Sequence, residues 1–312
     1  MAKKEKLQWK VKHKTSFSDE IDFLETILLD CGIKKEDIPT FLRPTQKCIH
    51  DPFLMKNMDK AIQLVKKHVD NGSRIFVKAD CDTDGLTSAT ILINFLKELN
   101  PELQIDWLQN YEKRHGLFYE DIEQKPKDYY DLYIIPDASM TCKDARDITR
   151  NFTGEILCLD HHIQENEFFN KKTNKWITRD EAKELYKVDK NSLEVDCYTN
   201  YCVAVNNTDG QYPNPTLSGA GVVQKFIEAY VDTYEENEEL KTKYLELVSL
   251  GIVADSCDTR DFESRYYVLE GLKEYRYFNE LLKEEKDLYN VGFIACTCFV
   301  FADSLVIIPH SS

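Results

Sequence analysis

The sequence predicts an α/β fold in which a mostly parallel sheet is flanked by helices, preceded by a helical N-terminal extension. From residue 74 onward, short apolar runs alternate with longer segments of helical character, and this alternation is typical of parallel sheets. The chain has 312 residues, of which 42% are hydrophobic. That is enough to bury one large core or two modest ones.

The extension is predicted to cover residues 1–72. The segment "SDEIDFLETILLDCGI" begins at Ser18, a residue type that often caps a helix N-terminus, and "MDKAIQLVKKHVDNG" ends at Gly72, a common C-terminal residue. Between them, "FLRPTQKCIHDPF" contains two prolines and is predicted to be irregular.

Five apolar runs are predicted to be strands of the sheet: 74–80, 103–109, 131–137, 155–160 and 247–255. Helices are predicted at 86–99, 142–151 and 219–235. Four of the runs end in an aspartate: Asp80, Asp137, Asp160 and Asp255. Because ligands of open α/β sheets bind outside the carboxyl ends of the strands, we expect these four carboxylates to meet at one edge.

The α/β domain is predicted to span residues 73–262, with a surface insertion near 166–200 that contains the helical stretch "TRDEAKELYKV". Residues 263–312 are predicted to form a connecting helix and an atypical tail. The tail is apolar over 291–309, but Asp303 interrupts it and no basic residues flank it. We therefore expect a packed strand or an irregular end there, and no membrane contact.

Charge and cysteine content restrict the function classes. Forty basic and 55 acidic residues give a formal net charge of −15, so no general positive field attracts nucleic acid and any such contact must be local or carried by metal ions. The ten cysteines show no paired spacing, and the first residues do not form a signal peptide. A reducing, cytoplasmic location is the expectation.

Three aspartates lie two residues apart where the first predicted strand ends. Residues two apart on an extended chain point the same way, so Asp80 and Asp82 can face one site, and Gly85 allows a turn that brings Asp84 toward it. His161 and His162 follow Asp160. Carboxylates mixed with imidazoles suit Mn²⁺, Fe²⁺ or Zn²⁺ better than Ca²⁺. Crowded carboxylates therefore predict a two-metal site for phosphoryl transfer.

Five motifs occur in a fixed order: "DCDTDGLTS", "PDAS", "DHH", "SGAGVVQKF" and "GIVADSCD". With them the chain resembles the DHH phosphoesterase superfamily, and most closely its RecJ-type single-stranded-DNA-specific exonucleases. The segments "FLRPTQKCIHDPFLMKNMDKAI" and "QNYEKRHGL" add to the resemblance. It covers residues 41–265 and implies the N-terminal catalytic portion of such an enzyme, without the glycine-rich C-terminal domain that grips the nucleic acid.

The resemblance also implies residue roles. The implied ligands of two Mn²⁺ or Mg²⁺ ions are Asp80, Asp82, Asp84, Asp137, His161 and Asp255. Of these, Asp137 is the expected bridge, and Asp80 is expected to serve where some relatives have a histidine at the position of Lys78. The implied catalytic residues are Asp82, Asp137, His161 and His162. Asp160 is expected to support the site.

Candidate substrate contacts are His162, Arg114, His115, Ser218, Gly219 and Arg265. His162 is expected to contact the scissile phosphate, and Lys78 is a further candidate contact to DNA. Ser264 replaces an asparagine of the family beside Arg265. Two readings stay open elsewhere: His115 could equally be a solvated loop residue, and the start of "SGAGVVQKF" could serve close helix packing, phosphate contact or both.

Three functions remain to be distinguished. The leading one is a metal-dependent exonuclease on single-stranded DNA, with a possible protein partner that supplies the absent domain. The second is a small-molecule phosphohydrolase acting on pyrophosphate, oligoribonucleotides or cyclic dinucleotides. The third is a catalytically silent replication-scaffold relative, which the intact set of predicted ligands argues against.

Overall fold

The computed structural model describes residues 20–110, 115–163, 166–208 and 210–284. The chain divides into two compact units, residues 1–44 and 45–312. The described part of the first unit contains helix α1 (Glu20–Asp30) and the short helix α2 (Ile38–Leu42). Ser18, the predicted helix cap, lies outside the described residues.

The second unit contains the other described helices, which include the helix that ends before Gly72. The helices are α3 (Met58–Asp70), α4 (Thr83–Leu99), α5 (Tyr119–Ile122), α6 (Cys142–Asn151), α7 (Arg179–Asp189), α8 (Gly219–Tyr234), α9 (Leu245–Ala254) and α10 (Phe262–Glu284). The strands are β1 (Arg74–Ala79), β2 (Gln104–Gln109), β3 (Leu132–Pro136), β4 (Glu155–Asp160), β5 (Glu167–Asn170), β6 (Lys175–Ile177), β7 (Leu193–Asp196) and β8 (Val203–Asn206).

Five strands form the main sheet in the order β2-β1-β3-β4-β8, and every neighbouring pair is parallel. The predicted α/β class and the first four predicted strands are confirmed. The helices predicted at 86–99, 142–151 and 219–235 are confirmed as α4, α6 and α8.

The fifth predicted strand, residues 247–255, is wrong. This stretch forms the helix α9, and the fifth strand of the sheet is the four-residue β8. Much of α9 is buried, including Leu245, Val248, Gly251 and Ile252. An apolar run with no polar face gives no periodicity, so a buried helix and a buried strand look alike in sequence.

Helices cover both faces of the sheet because alternate strand residues are buried on opposite sides. Ile75 and Val77 of β1 belong to the larger core cluster, which also contains apolar residues of α3, α4 and α8. Phe76 of β1 belongs to a second cluster with residues of α5 and α6. Burial on both faces leaves the carboxyl ends of the strands as the open edge where a site can form.

The segment predicted to be an insertion, near 166–200, contains a small sheet of its own. Strands β6, β5 and β7 pair antiparallel in that order, and α7 begins at the capping residue Thr178, whose hydroxyl accepts from the Glu181 amide. The predicted helix "TRDEAKELYKV" therefore exists as α7.

None of the described helices is both long and apolar enough to cross a membrane. The apolar stretch at 291–309 lies outside the described residues. All eight described cysteines are free thiols: Cys31, Cys48, Cys81, Cys142, Cys158, Cys197, Cys202 and Cys257.

Candidate metal centre

The turn from β1 into α4 brings three carboxylates to the edge of the sheet. Asp82 caps α4 and accepts a hydrogen bond from the Gly85 amide at 3.0 Å. Asp80 is buried; its Oδ1 accepts from the Cys81 amide at 2.7 Å, and its Oδ2 lies 2.6 Å from Nδ1 of His115. The crowding of aspartates in the sequence thus reflects a strand that ends and a helix that begins at one edge.

Asp84 points into the protein and meets the start of α8. Its Oδ2 accepts from the Gly219 amide at 2.6 Å and its Oδ1 from the Ala220 amide at 3.0 Å. Two backbone amides at a helix N-terminus stabilise a carboxylate. Burial nevertheless raises the pKa of Asp84.

Asp137 follows β3 and lies at the centre of the site. Its backbone has a left-handed φ of 56°, which aspartate tolerates better than most residues, and its amide donates to the Leu159 carbonyl at 2.7 Å. Its buried Oδ1 lies 3.1 Å from Nε2 of His161 but accepts no hydrogen bond of normal geometry within the described part of the chain. A buried carboxylate oxygen without a hydrogen bond is the kind of atom that a bound cation would satisfy.

The Asp160-His161-His162 segment follows β4, and Asp160 organises it. Its Oδ1 accepts from both histidine amides, at 2.8 and 3.2 Å, and from Nδ1 of His162 at 2.7 Å. This last hydrogen bond raises the pKa of His162. The Oδ2 of Asp160 is buried without a hydrogen-bond partner among the described residues.

Asp255 reaches the same site from the C-terminal end of α9, and not from a strand as predicted. Its Oδ2 lies 3.8 Å from Nδ1 of His161, whose Nε2 is 3.8 Å from Oδ2 of Asp84. His161 is therefore the residue that brings Asp84, Asp137 and Asp255 together.

Three groups of side chains at this edge could each hold a cation, because their ligand atoms lie within 4.8 Å of one another. The groups are Asp80-Asp82-Asp137, Asp84-His161-Asp255 and Asp137-His161-His162. Carboxylates with one or two imidazoles suit a divalent transition metal or Mg²⁺. The donor chemistry and the unsatisfied oxygen of Asp137 fit such ions.

The structure brings all six predicted ligands and His162 to this edge. His115 also lies at this edge, because its Nδ1 contacts Asp80. The ring centroids of His115 and His162 are 5.4 Å apart. Ser218 is fully buried and caps α8, with its hydroxyl accepting from the Gly221 amide. Gly219 is also buried, against Asp137. At the start of α8, close helix packing is therefore observed.

Two of the basic residues predicted to contact the substrate, Lys78 and Arg265, are buried. Lys78 is 2% exposed and its Nζ lies 2.9 Å from Oδ2 of Asp121, so the expectation that it contacts DNA is wrong. Arg265 lies in α10, where burial lowers its pKa to about 10. Arg114 lies outside the described residues.

Sequence reasoning missed Asn206, which supports the histidine pair. Its side-chain amide donates to the His162 carbonyl at 2.8 Å. Asn206 ends β8 next to Asp160 of β4. An interpretation of "VAVN" as a strand would have placed this polar residue at the same edge as the aspartates.

A model of the DHH family, N-terminal domain, matches residues 74–252. The chain belongs to the DHH family. YorK of Bacillus subtilis, named as a putative SPbeta prophage-derived single-strand DNA-specific exonuclease, is 31% identical over 268 residues, which are 85% of this chain and 40% of YorK. The single-stranded-DNA-specific exonuclease RecJ of Bacillus subtilis is 23% identical over 250 residues, covering 80% of this chain and 27% of RecJ. The chain is thus homologous to these exonucleases and spans less than half of their length.

The fold of this DHH-family chain also matches a solved structure. The crystal structure of RecJ from Thermus thermophilus in complex with Mn²⁺ aligns with a TM-score of 0.55 and 19% identity, over 79% of this chain and 30% of RecJ. The match supports the arrangement of the sheet and helices described above.

The buried carboxyl of Asp137 gives a first prediction about stability. Burial and the charges of Asp84, Asp82 and Asp160 raise its pKa in the folded state. Because its folded pKa, about 11, lies above the unfolded value, the carboxyl favours folding fully only below pH ~4, and that contribution is lost progressively as pH rises from there through about 11. In EDTA at pH 7, we therefore expect Asp137→Asn to unfold at a higher temperature than wild type, by about 2–4 °C for each kcal/mol gained.

Thermal unfolding followed by circular dichroism measures this difference. The gain should shrink near pH ~4, where the carboxyl of the unfolded chain also holds its proton, and Mn²⁺ should raise the unfolding temperature of wild type more than that of the variant. An Asp137→Asn protein less stable than wild type in EDTA would contradict the prediction.

Proposed function

We propose that the chain is the catalytic portion of a divalent-metal-dependent exonuclease that hydrolyses phosphodiester bonds in single-stranded DNA. One observation carries the proposal: two adjacent donor groups, Asp80-Asp82-Asp137 and Asp84-His161-Asp255, lie at the carboxyl edge of a DHH-family sheet. The homology to proteins named as single-strand DNA-specific exonucleases favours DNA over a small phosphorylated molecule.

The two groups would hold two Mn²⁺ or Mg²⁺ ions, with Asp137 shared between them because its Oδ1 also approaches His161. Ions so placed lower the pKa of water and neutralise charge on a phosphodiester. Local hydrogen bonds hold these ligands in position: Asp82 caps α4, and Asp84 accepts from the amides at the start of α8. Without cations these carboxylates would repel a phosphate.

His162 is placed to contact the substrate. Its Nδ1 is occupied by Asp160, so Nε2 is the ring nitrogen that remains available to a phosphate oxygen. The hydrogen bond with Asp160 raises the pKa of His162 and so favours the cationic ring, which binds an anion better. His115 forms a similar pair with Asp80, at 2.6 Å, and lies beside His162.

Incubation of the purified protein with Mn²⁺ and labelled substrates tests the proposal. We expect single-stranded DNA to be shortened from an end, with single-stranded RNA and pyrophosphate degraded more slowly. Faster hydrolysis of pyrophosphate than of DNA would assign the site to a small-molecule phosphohydrolase. No hydrolysis of any substrate, with metal bound, would overturn the proposed activity.

The number of ions is a separate prediction. At saturating Mn²⁺ we expect two ions per chain, because the two donor groups have no residue in common. Asp137→Ala should lower the number bound or weaken both sites. Equilibrium dialysis with metal analysis measures this, and binding of one ion that Asp137→Ala leaves unchanged would refute it.

A further inference from the structure

A concave surface lies where the small sheet packs against the main α/β domain. A groove of about 660 Å³ runs between α6 and the small sheet, a volume within the range of sites for small ligands. Its lining includes three cations and three aromatic side chains: Lys143, Arg146, Arg150, Phe169, Trp176 and Tyr201. Two carboxylates, Asp147 and Glu194, also line it.

Arg146 fixes the aromatic wall of this groove. Its guanidinium lies 5.0 Å from the ring centroid of Trp176 and 5.3 Å from that of Phe169, within the range of cation–π contacts. It also donates to the Tyr201 hydroxyl, to Glu194 and to Asp196. Its charge is therefore compensated, and its role is to hold the rings in place.

Other cations in or beside the groove are available to a ligand. Arg150 lines it and is exposed, and within the described part of the chain it has no carboxylate within 4 Å. Lys143 is also exposed. Its ion pair with Asp147, at 3.0 Å, lies at the surface, and such pairs contribute little to stability. The groove thus presents exposed cations beside fixed aromatic rings, although the chain has a net charge of −15.

We propose that this groove binds single-stranded nucleic acid, with bases stacked on Trp176 or Phe169 and phosphates near Arg150 and Lys143. Aromatic rings beside a line of cations are the common means of binding single strands, because every base can stack and every nucleotide carries a phosphate. This inference rests on the proposed function and names a part of its substrate-binding surface.

The groove is connected to the candidate metal centre through α6. This helix begins five residues after Asp137, and the amide of its first residue, Cys142, donates to Glu167 of the small sheet at 2.6 Å. Its ten residues span roughly 15 Å. A strand whose end is at the carboxylates could therefore continue along α6 into the groove, whereas a dinucleotide would occupy only the metal centre.

Binding of a fluorescent oligothymidine of roughly 20 nucleotides, longer than the site of one single-strand-binding domain, tests this inference. Anisotropy is measured in EDTA, so that no cleavage occurs. We expect Trp176→Ala to weaken binding by roughly 10-fold, as for loss of one stacking contact. Arg150→Glu should also weaken it and reduce the slope of log affinity against log salt by about one phosphate contact. Lys60→Glu, the same kind of substitution on the exposed face of α3, should bind as wild type.

Hydrolysis of a dinucleotide in Mn²⁺ by the same proteins separates this inference from the proposed function. Equal rates in wild type and both groove variants show that the fold and the metal centre are intact. If no protein cleaves DNA but the groove variants still lose affinity, the proposed activity fails and the groove assignment stands. Wild-type affinity in Trp176→Ala and Arg150→Glu, or equal losses in Lys60→Glu, would overturn the assignment.

Discussion

Asp82→Asn is expected to reduce hydrolysis of single-stranded DNA below detection while leaving the fold intact. Asparagine can still cap α4, because its side-chain oxygen can accept from the Gly85 amide as that of Asp82 does at 3.0 Å. The substitution removes the negative charge from the Asp80-Asp82-Asp137 group, and a neutral amide is a poor ligand in a site that must neutralise a divalent ion. Initial rates with saturating Mn²⁺ measure the effect.

His162→Ala should cost much less, roughly 10² to 10³ in rate, which is the usual cost of losing one donor to the transition state. The ligands create the site, whereas His162 only stabilises charge on the phosphate. Asp51→Asn is the matched control, since Asp51 also caps a helical turn and is exposed, and it should keep the full rate. Equal residual rates in Asp82→Asn and His162→Ala would contradict the distinction between ligand and phosphate contact.

Gly219→Ala is expected to lower the rate by at least about 10²-fold, the cost of misplacing a catalytic group by about 1 Å. A β-carbon at this position would overlap Oδ1 and Cβ of Asp137. Either Asp137 or the start of α8 must shift, and the second alternative also breaks the hydrogen bond from the Gly219 amide to Asp84. Steady-state rates and Mn²⁺ affinity should both fall.

Gly221→Ala is the matched control for this substitution. Gly221 is also buried in the first turn of α8, but the atoms nearest to a β-carbon there belong to the Leu217 side chain and not to Asp137. We expect a loss of stability of about 1–3 kcal/mol from overpacking and an almost unchanged rate. If Gly219→Ala retained wild-type rate and Mn²⁺ affinity, close packing against Asp137 would not be required for function.

The sequence predicted most of the sheet because its strands end abruptly. Runs such as "RIFVKAD" and "EILCLD" are bounded by polar residues and are too short for helices. The run at 247–255 is also bounded by polar residues, Glu246 and Asp255. It nevertheless forms most of α9, because a buried apolar stretch of this length can be either a strand or a helix. Strand β8 has only four residues and follows the insertion, so no alternating pattern identifies it.

The convergence of the candidate ligands at one edge was predictable because these residues follow recognisable local breaks in the chain. Asp255 was expected there for the wrong reason: it ends a helix and not a strand, yet the helix delivers it to His161. Lys78 was misassigned because strand periodicity alone does not reveal that its ammonium is paired with Asp121. The groove could not be predicted, because Arg146 meets Phe169 and Trp176 only when α6 packs against the small sheet.

The hydrogen bonds from the start of α8 to Asp84 have a consequence for the order in which this protein matures. The amide and the carboxylate are 135 residues apart in sequence, and His161 and Asp255 come from two further segments. No contiguous fragment of the nascent chain short of Asp255 contains the complete donor set. Because non-local contacts form late in folding, a tightly held ion would stabilise the finished domain and not its precursors. Uptake of the ion would then mark the completion of synthesis and folding of this domain.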